Sequence, residues 1–111
     1  MIRINIKPLS VNNAWAGRRF KTQEYKTYEK MLTPLLPSRL LSDLKGKLEL
    51  SIVFGFSSKG SDGDNPLKPF IDILSKKYGF NDNQIYSYVI KKEIVKKGFE
   101  FIDFKIIELN G

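Results

Sequence analysis

The sequence predicts an α+β fold in which two helices pack on a small mixed β-sheet. Stretches with apolar residues at every second position predict strands, and stretches with apolar residues three or four positions apart predict helices. Their order along the chain is strand, helix, strand, helix, strand, strand, which is typical of a two-layer arrangement. The length of 111 residues suits a single domain that spans residues 1–111.

The N-terminal part of the chain predicts one strand and one helix. Alternating isoleucines over residues 2–6 indicate a half-buried strand that ends at Pro8. Residues 9–21 are polar and basic and are expected to form a loop. Thr22 is a suitable N-cap for a helix that Pro34 should bend or end. The apolar positions of this helix are Tyr25, Tyr28, Met31 or Leu32, and Leu35.

The middle of the chain carries the strongest strand and helix patterns. Residues 47–56 alternate between apolar and more polar side chains, which predicts a strand with one buried face. A second helix is predicted over about 66–77, with Asn65 or Asp64 as its cap and Gly79 at its end. Its apolar stripe consists of Leu67, Phe70, Ile71 and Leu74.

The C-terminal part predicts two further strands. Residues 84–95 and 99–109 are expected to form a hairpin around a turn at residues 96–98. In the second of these strands the apolar phase shifts between Phe101 and Ile102, which predicts a β-bulge.

The composition restricts the chemistry, because the chain has no histidine and no cysteine. This excludes a Ser-His-Asp triad, a histidine general base, a thiolate zinc site and a cysteine nucleophile. Any catalysis must therefore use carboxylates, lysines, hydroxyls or a metal bound by oxygen. The net charge of +7, from 19 Lys and Arg against 12 Asp and Glu, favours a polyanionic partner such as nucleic acid.

The hydropathy pattern favours a protein without a membrane partner. No apolar run approaches the ~20 residues that a membrane-spanning helix needs. The N-terminus alternates like a strand and lacks the apolar core of a signal peptide. The protein is therefore expected to be cytoplasmic.

Carboxylates gather in the segment that links the strong strand to the second helix. Asp62 and Asp64 are two residues apart, so in extended backbone their side chains project to the same side. Such a pair repels unless a cation joins it, and Mg²⁺ accepts ligands of this kind. Lys68 follows in the first turn of the helix, where it can pair with Asp72 and can stabilise charge at a phosphate. Asp82 comes just before the next strand, which could carry it back to the first pair.

Simpler interpretations of these acids remain open. Asp-Gly and Asn-Asp-Asn are ordinary turn sequences, and aspartates ahead of a helix often act only as caps. An EF-hand loop is excluded, because Leu67 stands where that loop needs glycine and Ile73 replaces its terminal glutamate.

The same residues carry a resemblance to a known family. Segment 62–74, DGDNPLKPFIDIL, resembles the D-x-D-N-x-x-K-x-x-x-D-x-L signature of RusA-type Holliday-junction resolvases. Segment 81–85, NDNQI, is similar to the D-D-x-Q-V/I stretch of that family, although it has one acid where the family has two and lies one residue nearer to the signature. The N-terminal pattern of the family, with asparagine, a basic loop, threonine and tyrosine, resembles residues 10–28.

The resemblance implies a homodimer that resolves four-way DNA junctions by paired symmetric nicks and uses Mg²⁺, for which Mn²⁺ can substitute. Carried over by position, Asp62, Asp64 and Asp82 match the metal-binding catalytic aspartates of the family. Lys68 matches its catalytic lysine. The alternatives are a non-catalytic basic DNA-binding module and a protein-interaction fold whose acidic loop is only a turn.

Basic and aromatic residues outside the signature have weaker assignments. The predicted contacts to DNA phosphates are Arg18, Arg19, Lys21, Lys59 and Lys68. The basic loop at residues 18–21 could equally be a solvated segment. The lysines at 91–92 and 96–97 could extend the DNA path or only keep exposed strands soluble. Trp15 and Phe80 could stack on a base, but a place in the core or in a dimer interface is the favoured interpretation.

Overall fold

The predicted α+β class is confirmed in the computed structural model, which describes residues 1–16, 20–40, 43–60, 63 and 65–109. The main elements follow the predicted order, and a one-turn helix with a two-stranded ribbon occupies part of the segment that was expected to be a loop. The elements are β1 (Ile2–Ile4), α1 (Val11–Ala14), β2 (Trp15–Ala16), β3 (Phe20–Lys21), α2 (Gln23–Leu35), β4 (Leu48–Phe56), α3 (Leu67–Tyr78), a 3-10 turn (Asp82–Gln84), β5 (Ile85–Ile94) and β6 (Phe101–Glu108).

The main sheet has the order β1-β6-β4-β5, with β5 parallel and the other neighbouring pairs antiparallel. The predicted hairpin of the last two strands is therefore wrong, because β5 and β6 both pair with β4. The connection at residues 95–100 passes the end of β4, where the Val95 N–H donates to the Phe56 carbonyl at 2.7 Å. Strand β6 is apolar on both faces and takes an inner position, whereas the more polar β5 is left at the edge.

The predicted bulge at Phe101 and Ile102 is also wrong, since β6 keeps a continuous register with β4. Phe101 is buried on the outer face of the sheet because Arg3 covers it. The guanidinium of Arg3 lies 3.9 Å from the ring centroid and pairs with Asp103 at 2.7 Å. The aliphatic part of the Arg3 side chain and its cation–π contact therefore bury Phe101 in place of apolar neighbours. The spacing of apolar residues in the sequence does not predict such a contact.

A bulge does occur at the start of β5. Leu48 aligns with Ile85 and Glu49 aligns with Ser87, so Tyr86 is an extra residue on the β5 side. Such an insertion changes the face to which the following side chains project.

Helices α2 and α3 cover one face of the sheet. Phe70 of α3 meets Phe104 of β6 edge-on, with ring centroids 5.4 Å apart. The predicted alternation of β4 is confirmed, since the residues that face this layer are all buried: Leu48, Leu50, Ile52, Phe54 and Phe56.

Helix α2 begins where the sequence predicts. The Thr22 hydroxyl accepts the N–H of Tyr25 at 3.1 Å and so caps the helix. Leu32 is fully buried and Met31 is exposed, which decides between the two candidates for that apolar position. Pro34 lies in the last turn, close enough to the end that the helix is not interrupted earlier.

Helix α3 runs one residue out of step with the prediction at each end. Pro66 occupies the cap position and has no side-chain cap, so Asn65 is not the cap residue. Gly79 ends the helix as predicted, with a left-handed φ of 73° that glycine adopts without strain.

Gly55 in β4 should resist substitution, because the backbone passes close to the buried ring of Phe101. A Cβ at this position would lie 2.5 Å from two ring carbons, and the guanidinium of Arg3 already packs on the same ring. We expect Gly55→Ala to lower the free energy of unfolding by roughly 1–3 kcal/mol, the usual cost of overpacking. Urea denaturation would measure it, with Gly60→Ala as the control, since a Cβ there meets only Ser58 Oγ at 3.8 Å. Equal stability of the two variants would contradict this account.

Candidate active site

Asp82 lies on a braced turn between α3 and β5. Asn81 and Gln84 form a reciprocal capping box, in which Gln84 Oε1 accepts the Asn81 N–H at 2.8 Å. Gln84 Nε2 donates to the carbonyls of Leu44 and Gly46 at 3.2 and 2.9 Å, which ties the turn to the segment before β4. The Asp82 side chain is exposed on a backbone that these bonds hold in place.

An open cleft lies between this turn and the C-terminal half of α3, and both Asp72 and Asp82 line it. Burial raises the pKa of the Asp72 carboxyl; the charge of Lys68 opposes the rise, and the negative charge of Asp82 adds to it. The two carboxylates therefore repel one another in a shared cleft. A cation between them would relieve this repulsion.

Lys68, near the start of α3, stands over the face of Trp15, with Nζ 5.1 Å from the ring centroid. Trp15 packs in turn on Tyr25, at 5.2 Å between centroids. The sequence predicts that Lys68 pairs with Asp72, but these two described residues form no ion pair within 4.0 Å. Their charges interact at longer range. The exposed ammonium of Lys68 is thus oriented by an aromatic platform and can approach a phosphate.

Besides Lys68, the structure describes two of the predicted DNA contacts, Lys21 and Lys59, and these two lie far apart in the sequence and on different elements. Lys21, in β3, stands 4.8 Å from the centroid of the Tyr25 ring, and its charge reaches Asp72 in the cleft. Lys59 is exposed in the turn after β4, where its carbonyl accepts from Lys92 Nζ at 3.4 Å. Lys21 therefore adjoins the cleft, and Lys59 lies near the far end of β5.

Four predicted site residues, Asp62, Asp64, Arg18 and Arg19, lie outside the described residues, so their roles stay predictions. Within the ranges that the structure does describe, no group of three acidic side chains is close enough to hold a metal ion. The acids that the described structure brings together are Asp72 and Asp82.

A larger cleft of the described structure lies along α2 and the end of β1. The charged residues among its described lining are Lys7, Glu24 and Glu100. The carboxylates that interact with one another, Asp72 and Asp82, line the other cleft, which is therefore the better candidate for a cation site.

The family model described as endodeoxyribonuclease RusA matches residues 6–100, which is most of the chain. The chain belongs to the RusA endodeoxyribonuclease family. The resemblance inferred from segments 62–74 and 81–85 is therefore confirmed at the level of the family, which acts on branched DNA. A search of curated proteins returned no match.

The RusA match does not mark the side chains that hold Asp82 in place. The capping box of Asn81 and Gln84 has a sequence signal, because an asparagine followed three residues later by a glutamine is typical of one. The resemblance of segment 81–85 to the family does not predict this capping box. Lys76, whose ammonium lies near Lys21, has no such signal, because the contact joins a strand and a helix that are distant in the chain.

Of the aromatics considered for base stacking in this RusA-family chain, Phe80 belongs to the core. Trp15 is half-buried between Tyr25 and Lys68. Both positions agree with the favoured structural interpretation. Separately, the helices of the described part of the chain are all too short or too polar to cross a membrane.

Proposed function

We propose that this chain is a Mg²⁺-dependent, structure-selective endonuclease that resolves Holliday junctions by paired symmetric nicks, with residues 1–111 acting as one domain. Mn²⁺ can replace Mg²⁺ in this proposal. The observation that carries it is the RusA match over residues 6–100, supported by the open cleft in which the exposed Asp82 carboxylate faces Asp72. The excess of basic residues suits a DNA substrate.

Asp62, Asp64 and Asp82 are the proposed metal ligands. The donor chemistry of the described site fits Mg²⁺, since two carboxylates repel one another across a water-accessible cleft. When bound, Mg²⁺ supplies Lewis-acid activation and charge neutralisation at the scissile phosphate. Lys68, held over Trp15, stabilises the negative charge that develops at that phosphate.

The basic residues of the proposal bind and orient the DNA backbone. Arg18, Arg19, Lys21 and Lys59 are proposed to contact phosphates on either side of the scissile bond, and Lys68 contacts the scissile phosphate itself. Phosphate contacts of this kind set the position of the duplex arms without reading their sequence.

Gly63 and Asp82 lie towards opposite ends of β5. Gly63, which stands between Asp62 and Asp64 in the sequence, is next to Lys92: a Cβ on Gly63 would lie 3.8 Å from Lys92 Cβ. Asp82 precedes Ile85 at the other end of the strand. From Ile85 to Lys92, a rise of about 3.3 Å per residue corresponds to roughly 23 Å. This separation favours a site that is completed between two subunits.

A homodimer that pairs through β5 would bring these two positions of different subunits together. β5 ends the described sheet and carries exposed apolar side chains, namely Tyr86, Tyr88, Val89 and Ile94. Around a two-fold axis, two such strands pair antiparallel, so the end of one lies beside the beginning of the other. Gly63 of one subunit would then approach Asp82 of its partner, and the dimer would carry two equivalent sites for two symmetric nicks.

Cleavage of defined DNA substrates tests this function. We expect the purified protein with Mg²⁺ to nick a labelled four-way junction in two opposing strands, at least roughly tenfold faster than a linear duplex of the same sequence, because positioned phosphate contacts select substrate geometry. Chelation of the metal should stop cleavage and leave binding. Junction binding without cleavage in Mg²⁺ or Mn²⁺ would instead favour the non-catalytic DNA-binding module.

A further inference from the structure

Two lysines meet beside the cleft that contains Asp72 and Asp82. Lys21 of β3 has its Nζ 4.8 Å from the centroid of the Tyr25 ring of α2. Lys76, in the last turn of α3, approaches the same face of α2 at Glu29, one turn after Tyr25, and the charges of the two lysines interact. Lys76 Nζ also donates to Glu29 Oε2 of α2 at 2.7 Å. Both ammonium groups are close enough to Asp72 to influence its carboxyl. Elements distant in the sequence thus bring two lysines near Asp72, one of the acids of the cleft.

Direct ion pairing differs between the two lysines. Burial, and then the neighbouring Lys76, lower the pKa of Lys21. The hydrogen bond to Glu29 is the main cause that raises the pKa of Lys76. Within 4.0 Å, Lys76 pairs with Glu29, whereas Lys21 pairs with no carboxylate of the described residues. An oxyanion that accepted from both ammonium groups would relieve their mutual repulsion.

The pair of Lys76 with Glu29 is not needed to hold α3 on α2. The side chain of Lys76 is 57% exposed, and exposed ion pairs contribute only about 0–1 kcal/mol. The adjacent Lys77 already ties the two helices, because its Nζ donates to the carbonyls of Thr33 and Leu36 at 2.7 and 3.2 Å. A purely structural role therefore leaves the proximity of Lys21 to Lys76 unexplained.

We propose that Lys21 and Lys76 form a subsite for a backbone phosphate next to the scissile one, and that Glu29 holds Lys76 until the DNA displaces it. The proposal rests on the proposed nuclease function and extends it, since Lys76 and Glu29 lie outside the family signature at residues 62–74 and 81–85. Two ammonium groups can donate to the two non-bridging oxygens of a phosphodiester, and both lysines as well as Asp82 influence the carboxyl of Asp72.

The two residues of the Lys76–Glu29 ion pair allow a sharp test, because their substitutions are expected to change DNA affinity in opposite directions. Affinity for a fluorescent four-way junction would be measured without divalent metal over a series of salt concentrations. We expect Lys76→Gln to weaken binding about threefold to tenfold and to reduce the slope of log K against log salt by about 1. Glu29→Gln, which breaks the same ion pair, should strengthen binding because it removes a competing carboxylate.

Two control variants and a stability measurement separate an effect of charge on DNA affinity from an effect on folding. Lys76→Arg should bind as the wild type does, because the cation is retained. Lys105→Gln removes one exposed positive charge from the opposite face of the sheet and should change affinity little. Thermal denaturation would show whether Lys76→Gln and Glu29→Gln, which lose the same ion pair, remain equally folded.

The outcomes separate this subsite from the function on which it rests. Wild-type protein that binds and cuts junctions, together with unchanged affinity in Lys76→Gln or weakened affinity in Glu29→Gln, overturns the subsite alone. Wild-type protein that neither binds nor cuts junctions overturns the proposed function and the subsite with it. If Lys76→Gln loses only the ability of inorganic phosphate to protect the protein against thermal unfolding, and keeps its DNA affinity, the pair binds free phosphate and the DNA subsite is wrong.

Discussion

Asp82→Asn should abolish junction cleavage while leaving junction binding intact. The carboxylate is exposed on a turn that backbone and Gln84 hydrogen bonds hold, so its replacement by an amide of similar shape should not disturb the fold. Loss of the charge removes a proposed Mg²⁺ ligand, and we expect the cleavage rate to fall about a thousandfold or more, as when a group that supports transition-state charge is removed. Single-turnover cleavage of a labelled junction would measure it.

Binding of the Asp82→Asn variant should be equal to or slightly tighter than that of the wild type, since a negative charge leaves the DNA-facing cleft. Asp43→Asn is the matched control, because Asp43 is an exposed carboxylate whose ion pair is with Lys45 at 3.8 Å. Cleavage by Asp82→Asn at the wild-type rate would remove Asp82 from the proposed site.

Mixing two inactive variants should restore activity if the metal site is shared between subunits. In a mixed dimer of Asp64→Asn and Asp82→Asn, one site carries both substitutions and the other carries neither. That intact site should nick one strand of the junction. If each site lay within one subunit, both would be damaged and no cleavage would return. Variants with different affinity tags, co-expressed and purified through both tags, would provide the mixed dimer.

The control for this experiment is a mixed dimer of Asp62→Asn with Asp64→Asn. Both substitutions lie in the same loop, so a shared site predicts that neither site is intact and that no activity returns. A mixed dimer of Asp64→Asn and Asp82→Asn that is purified intact, binds junctions and remains inactive would show that the proposed composite site is wrong.

Local patterning predicted most of the helices and the central strand. The alternation over residues 47–56 defines β4 to within one residue, and Thr22 and Gly79 mark helix boundaries through capping preferences that act within one turn. These features depend on neighbours in the sequence, which is why the sequence alone was sufficient. The choice of Leu32 over Met31 needed the sheet, because both fit the helical period.

The arrangement of the last two strands needed the tertiary structure. A short connection between two strands favours a hairpin, but β6 gains more by pairing with β1 and β4 on its two edges. Burial of Phe101 under Arg3 also depends on a residue from the other end of the chain. Long-range competition between pairings is not encoded in any short window of sequence.

For the site, the sequence by itself determined the chemistry available: no histidine, no cysteine, and a signature of acids and a lysine that the RusA match supports. The tertiary structure decided which groups meet, since it places Asp72 and Asp82 in one cleft and Lys68 over Trp15. It also brings Lys21 to Tyr25 and Lys76 to Glu29 on one face of α2. The physical reason is that residue type sets a group's charge and donor atoms, whereas electrostatic coupling depends on distances that only the packing of α3 against its neighbours establishes.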